Sequence, residues 1–263
     1  AYADNAPTAK VKLTGWPYDG GPRDVSLADP IPMRDFPALR PPPWDVLTTE
    51  QIQSPADNKK VIVSADDPLH DDNGNGNYVY PLDEHFAPGI LDIAKFEVSE
   101  SPQSYAFKLT FRNLVQPGWH PEYGFQLTFA AICLHTANGA RNDVGANSQH
   151  RLPSDQAASR VIFVGGGIRI EDDHNEILAQ YTPRQTSDAF GDTTHHTISF
   201  ALPKKYLPAA DDSWRWTVLV GAQDDHGGAG MGEFRAVKSE PEQWAGGGNT
   251  NDGSNIYDIL IVQ

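Results

Sequence analysis

A single cysteine, Cys133, rules out an intrachain disulfide framework in this chain of 263 residues. Its place in the apolar run 129–134 makes it a buried small hydrophobe rather than a nucleophile. No stretch approaches the roughly 18 apolar residues of a membrane-spanning helix. Basic residues are scarce, with 20 Lys+Arg against 35 Asp+Glu and a formal net charge of -15. Such a surface repels nucleic-acid phosphates and anionic lipid alike. Also missing are an Asn-x-Ser/Thr glycosylation acceptor, a Gly-x-Ser-x-Gly elbow and any His-x-His, His-Glu-x-x-His or Cys-x-x-Cys spacing. The sequence therefore carries no signature of a serine hydrolase or a compact transition-metal site. There is no regular repeat and no long amphipathic helical pattern.

What the chain has in quantity is turn chemistry: 23 glycines and 21 prolines separate short apolar stretches. This composition predicts an all-β, two-sheet antiparallel sandwich with a proline-rich N-terminal arm. The arm covers residues 1–58, where Pro30, Pro32, Pro37 and Pro41-Pro42-Pro43 forbid long helices and central strands. Trp16, Tyr18, Phe36, Leu39 and Trp44 are too many large apolar groups for a simple linker and are expected to pin the arm to the body. A short helix is expected over 45–53. The sandwich domain is expected over 59–263, with strands over 60–64, 90–99, 104–112, 125–135, 160–163, 168–170, 176–181, 194–202, 214–221 and 256–262. The cleanest alternation runs through Tyr105, Phe107, Leu109 and Phe111. The 125–135 segment is apolar enough to be buried on both faces. Lys204 to Leu207 reads as a helical turn. His195 and His196 are neighbours in an expected strand and so point to opposite faces, with His196 on the core side; they cannot share a metal.

The stretch most charged with chemistry is Asp66-Asp67-Pro68-Leu69-His70-Asp71-Asp72-Asn73-Gly74-Asn75-Gly76-Asn77-Tyr78-Val79-Tyr80-Pro81. So many oxygens in one loop repel one another unless a hard cation such as Ca²⁺ offsets the charge, and the glycines permit the positive φ values that wrap backbone around an ion. The spacing is not that of an EF-hand loop, since no glutamate closes it and no helices flank it. An alternative is a solvated cluster of ordinary turn formers. A second acidic turn, Asp224-Asp225-His226-Gly227, leaves the end of the 214–221 strand and echoes the first. If both loops meet at one sandwich edge, the expected cation sites are two, or one shared.

Several separated motifs resemble the glucodextranase C-terminal domain-like family. They are Asp67-Pro68…Asp71-Asp72-x-Gly74-x-Gly76-x-Tyr78-x-Tyr80-Pro81, Phe86-x-Pro88-Gly89-x-Leu91-Asp92, and Pro117-Gly118-Trp119-His120-Pro121-Glu122-Tyr123-Gly124-Phe125. Further along come Trp244-x-Gly246-Gly247-Gly248 and Asn255-Ile256-Tyr257-Asp258-Ile259-Leu260. His70 and His120 stand where that family usually has glycine. The resemblance spans roughly residues 59–263 and places the chain near family 9 carbohydrate-binding modules and DOMON domains. It implies a β-sandwich with structural Ca²⁺ that holds α-glucan or a related polysaccharide, with a glycoside hydrolase domain as a possible partner. Carried across residue by residue, it implies Asp67, Asp71, Asp72 and Asp92 as calcium ligands with Asn73 or Asn77, and the second turn adds Asp224 and Asp225.

Trp119, Tyr123, Trp214 and Trp244 are the candidate sugar-stacking rings, with core packing as the alternative for each. The start at Ala1-Tyr2-Ala3-Asp4 fits a chain from which a signal peptide was removed, hence a secreted or periplasmic location. Two other functions fit the same pattern. One is a haem-binding electron carrier, using Met231 with His226 or His135. The other is a stand-alone polysaccharide-active enzyme with acid–base groups among Asp71, Asp72, His120, Asp224, Asp225 and His226. A non-catalytic binding module is the leading expectation.

Overall fold

The computed structural model describes residues 42–53, 60–228, 230–250 and 253–263. The chain divides into two units, Ala1–Pro43 and Trp44–Gln263. The expected arm lies outside the described residues as far as position 41. The second unit is a β-sandwich, as the turn-rich composition predicts. One sheet contains β2 (Lys60–Asp66), β3 (Ile93–Glu100), β4 (Ser104–Phe111), β9 (Gly191–Asp192) and β10 (Thr197–Pro203), in the order β2-β3-β4-β10-β9. The other contains β1 (Asp45–Val46), β5 (Thr128–His135), β6 (Ala158–Val164), β7 (Ile168–Asp172), β8 (Ile177–Tyr181), β11 (Arg215–Asp224) and β12 (Glu233–Phe234), in the order β1-β8-β7-β6-β5-β11-β12. The last strand, β13 (Asp258–Val262), pairs with β11 beside β12.

Alternation builds the core. Tyr105, Phe107, Leu109 and Phe111 of β4 are buried, while Lys108 between them is exposed. Across the gap, Trp216, Val218 and Val220 of β11 point at the same interior, and the Trp216 ring lies 5.6 Å from Phe96 and 5.8 Å from Phe107. β5 is buried at every position because both of its faces are covered. Ala130, Ile132 and Leu134 face the inter-sheet core, whereas Phe129, Ala131 and Cys133 join Val144, Leu152, Phe234 and Ile256 in a second cluster on the outer face. Burial pushes the Cys133 thiol up to about 12, which leaves it inert.

Three local expectations are corrected. The strand expected over 90–99 begins at Ile93, because Ile90, Leu91 and Asp92 close a turn in which Asp92 N–H reaches the Gly89 carbonyl at 3.3 Å. The strand expected over 194–202 begins at Thr197; His195 and His196 sit in the preceding turn, with His196 at φ +53. His196 therefore faces Leu114, whose N–H it accepts through Nδ1 at 3.2 Å, and not the core. The 45–53 segment splits into β1, paired in parallel with β8, and a single helical turn, α1 (Thr49–Ile52), capped by Thr48 and Gln51. Ile52 is buried, and Asp45 bonds Lys205 Nζ and Tyr206 Oη, each at 2.7 Å, so this segment is fastened to the sandwich.

Candidate functional site

The long 67–92 connection between β2 and β3 carries the acidic stretch. Asp67 extends the β2–β3 pairing, its N–H bonding the Ala94 carbonyl at 3.0 Å, and the chain then turns at His70 with φ +72. A histidine here takes the left-handed conformation that glycine adopts without strain. It frees the His70 N–H to donate to Asp92 Oδ2 at 2.9 Å. Gly74, at φ +58, sits against the Tyr78 ring where a Cβ would collide, and its N–H bonds the Tyr257 carbonyl at 2.8 Å. Tyr257 closes the loop from the other side: its rings contacts with Tyr78 and Tyr80 are edge-on, and its Oη donates to the Val79 carbonyl at 3.0 Å.

The five carboxylates at this corner fall into two groups. Asp72 and Asp92 have a cation. Arg112 Nε donates to Asp92 Oδ2 at 2.5 Å, its Nη2 lies 3.7 Å from Asp72, and Tyr80 Oη donates to Asp72. Asp67, Asp71 and Asp258 have none among the described residues, yet one oxygen from each lies within 4.8 Å of the others. Asp258 heads β13 and is held by the Ile93 N–H at 2.8 Å. Burial, then the neighbouring acids, lift Asp258 to about 8 and Asp67 to about 6, and burial lifts Asp71 as well. Buried oxygens Asp67 Oδ2 and Asp92 Oδ1 have no hydrogen-bond partner among the described residues. Two full charges about 4 Å apart repel by about 4 kcal/mol even at an effective dielectric constant of about 20. An all-oxygen group of this kind fits a hard divalent cation, which takes about six to eight oxygens.

The residues expected as ligands are therefore sorted by the fold. Asp67 and Asp71 are in the cluster. Asp72 and Asp92 stand beside it as partners of Arg112. Asn73 and Asn77 have exposed side chains; the Asn73 carbonyl is taken by the N–H groups of Gly76 and Tyr78, both at 2.9 Å. Asp258 was not among the expected ligands. Its only sequence signal is an acid opening the apolar run Ile259-Leu260-Ile261-Val262. Another acidic group, Asp172, Asp173 and His174, caps its own β7–β8 turn: Asp172 Oδ1 accepts the His174 and Glu176 N–H groups, both at 2.9 Å.

Asp224 and Asp225 do not join this corner. They line a cleft of about 490 Å³ with Trp119, Trp244, Gln126 and Arg235. Asp224 is 3.4 Å from Arg235 Nη2 and accepts the His226 N–H at 2.9 Å, so a basic group and the backbone already satisfy it. Trp119 and Trp244 are 45 % and 37 % exposed and meet edge-to-face at 5.8 Å. Arg235 fixes this wall, with Nη1 on the Trp244 carbonyl at 3.0 Å and Nε on the Gln223 carbonyl at 2.9 Å.

The other two candidate rings are largely buried. Tyr123 is 1 % exposed, stacks on His120 and accepts the Gly230 N–H through Oη at 3.1 Å. Trp214 is 7 % exposed and packs between Tyr105 and Trp216. Trp214 shows only an edge, to a separate hollow lined also by Lys60, Glu100 and Arg215 and not to the Trp119–Trp244 cleft. Met231 packs against the outer-face cluster, and His135 Nε2 is 2.8 Å from Thr217 Oγ1.

A two-sheet sandwich bearing a shallow aromatic cleft has the form of a β-sandwich binding module. Residues 62–263 match the family model described as the C-terminal binding-module, SLH-like, of glucodextranase, and the chain belongs to that family. No curated protein matches the chain. Among the described residues no helix is long and apolar enough to cross a membrane.

Proposed function

We propose that the chain is an exported, calcium-stabilised carbohydrate-binding module whose Trp119–Trp244 cleft takes an α-glucan or a related polysaccharide. The observation that carries this reading is the pair of exposed indoles meeting edge-to-face beside Asp224, Asp225 and Gln126. Sugar rings present apolar C–H faces that pack on indoles, while their hydroxyls donate hydrogen bonds to carboxylates and exchange them with amides at the rim. Membership of a family of glucodextranase binding modules supports glucan as the ligand class and a hydrolase as the working partner. The metal reading rests on the three carboxylates that meet within 4.8 Å with no cationic partner among the described residues. Asp67, Asp71 and Asp258 would hold the ion, which supplies the positive charge that lets them stay ionised together.

Calorimetric titration with maltoheptaose tests the binding reading. Replacing Trp244 or Trp119 by Ala should weaken binding by about 30-fold, equivalent to a hot-spot loss of about 2 kcal/mol. Equal affinity in both variants would overturn the assignment of the cleft.

A further inference from the structure

The segment that begins at the acidic corner does not end there. Between Asp67 and Asp92 it runs past the cleft and supplies the packing behind both exposed indoles. The Phe86 ring meets Trp244 edge-on at 6.0 Å, and His85 lies 4.9 Å from Trp119. Around these contacts the same segment is stitched to the strip that carries Trp244. Val79 bridges Gly247, the Leu82 N–H bonds the Glu242 carbonyl at 2.9 Å, and the Asp83 N–H bonds the Gln243 carbonyl at 3.0 Å. Gly246 in this strip leaves room for Tyr257 Oη, which a Cβ would strike. Tyr257 directly precedes Asp258. The corner and the cleft thus share one continuous set of contacts, in which the acids grip the ends of the segment and the indoles rest on its middle.

We infer that His85 and Phe86 are positioning residues that tie the pitch of Trp119 and Trp244 to occupancy of the Asp67–Asp71–Asp258 corner, so that cation and glucan bind with positive coupling. This rests on the function proposed above. Without a cation nothing draws the three acids onto one centre, the ends of the 67–92 segment loosen, and the two indoles lose the backing that holds them at one angle. With a cation the platform is set before the sugar arrives, and the ordering cost of binding falls. Linkage then requires the sugar to tighten cation binding by the same factor. A coupling of about 5- to 20-fold is expected, within the range of allosteric effects in general.

The test uses the full chain labelled with fluorotryptophan, with Tb³⁺ as the metal probe and maltoheptaose as the sugar. Tb³⁺ luminescence sensitised by the tyrosines beside Asp258 reports occupancy of the corner. Fluorine NMR reports the indoles, with Trp119→Phe and Trp244→Phe assigning their signals. Saturating Tb³⁺ should shift and sharpen both signals, and maltoheptaose should tighten Tb³⁺ binding by the factor by which Tb³⁺ tightens maltoheptaose binding. His85→Ala and Phe86→Leu should keep Tb³⁺ luminescence but reduce the coupling factor toward unity; His85 is half-exposed, so its removal leaves the fold intact. Tb³⁺ binding with no indole shift, or unchanged coupling in both variants, overturns the proposal and leaves the metal and glucan readings standing. Tb³⁺ failing to bind removes the metal reading and this proposal with it. Maltoheptaose failing to bind while Tb³⁺ still shifts the indoles overturns glucan as the ligand and the coupling to it.

Discussion

Asp71-Asp72-Asn73-Gly74 and Asp224-Asp225-His226-Gly227 are near twins in composition, and the fold gives them opposite electrostatics. In the second turn each acid finishes its own business. Asp224 has Arg235 at 3.4 Å, and Asp225 accepts the Gly227 N–H at 2.9 Å. In the first turn Asp71 meets Asp67 and Asp258 with no basic partner among the described residues, while Arg112 is already committed to Asp92 and Asp72. Density of acid does not set the two turns apart. What does is that burial brings the acids of the first together while Arg112 is bonded to their neighbours.

The contrast breaks most violently at Arg112. Arg112→Met would leave Asp92, fully buried, with a lone charge. Breaking a buried pair costs about 3–5 kcal/mol, and partial exposure of the arginine places the expected loss near the lower end, about 3 kcal/mol in a denaturant melt. The next effect separates the two turns directly. Calcium should raise the melting temperature of the wild type by several degrees, since a ligand at about 100 times its Kd adds about 2.7 kcal/mol. Asp258→Asn keeps the bond from the Ile93 N–H but should abolish that gain, whereas Asp224→Asn should retain it.

Melts against pH sharpen the same difference. In the metal-free protein Asp67 and Asp258 sit above the ordinary value of 3.8, at about 6 and about 8, so the folded state holds protons that the unfolded state has released. Their contribution is complete below 3.8 and is lost as pH rises through 6 and 8. The buried His135 and the half-buried His150, both lowered by desolvation, act in the opposite sense and lose stability as pH falls. Subtracting a chelator series from a calcium series cancels the histidines. The calcium-dependent gain should therefore grow steadily from about pH 5 to pH 8, as protons cease to compete for the acids. The smallest effect is at His70, whose φ of +72 is strained for a side chain. His70→Gly should change stability by no more than about 1 kcal/mol, in the stabilising direction, because relief of strain is partly offset by the looser unfolded chain.

Much of the sandwich was legible because its signal is local. Expected and observed bounds nearly coincide for the strand with the cleanest alternation, β4, and the apolar run of β5 correctly announced a strand covered on both sides. The misplaced boundaries share a cause: a left-handed turn at His196 and a closed turn at Asp92 end the pattern before hydrophobicity does. The site was only half legible. Asp67 and Asp71 stand out in the sequence, but Asp258 reaches them only because β13 lays down beside β11 near the start of β3. Trp119 and Trp214 are the same residue type in aromatic neighbourhoods, and only packing decides that one is a surface and the other is core.

Calorimetric titration of the chelator-stripped full chain with Ca²⁺, run in parallel on Asp258→Asn and Asp224→Asn, tests the central claim most directly. Saturable binding near one ion per chain in the wild type and in Asp224→Asn, and none in Asp258→Asn, is the result the three-carboxylate corner predicts. Binding that survives in Asp258→Asn and disappears in Asp224→Asn would contradict it and move the cation to the cleft.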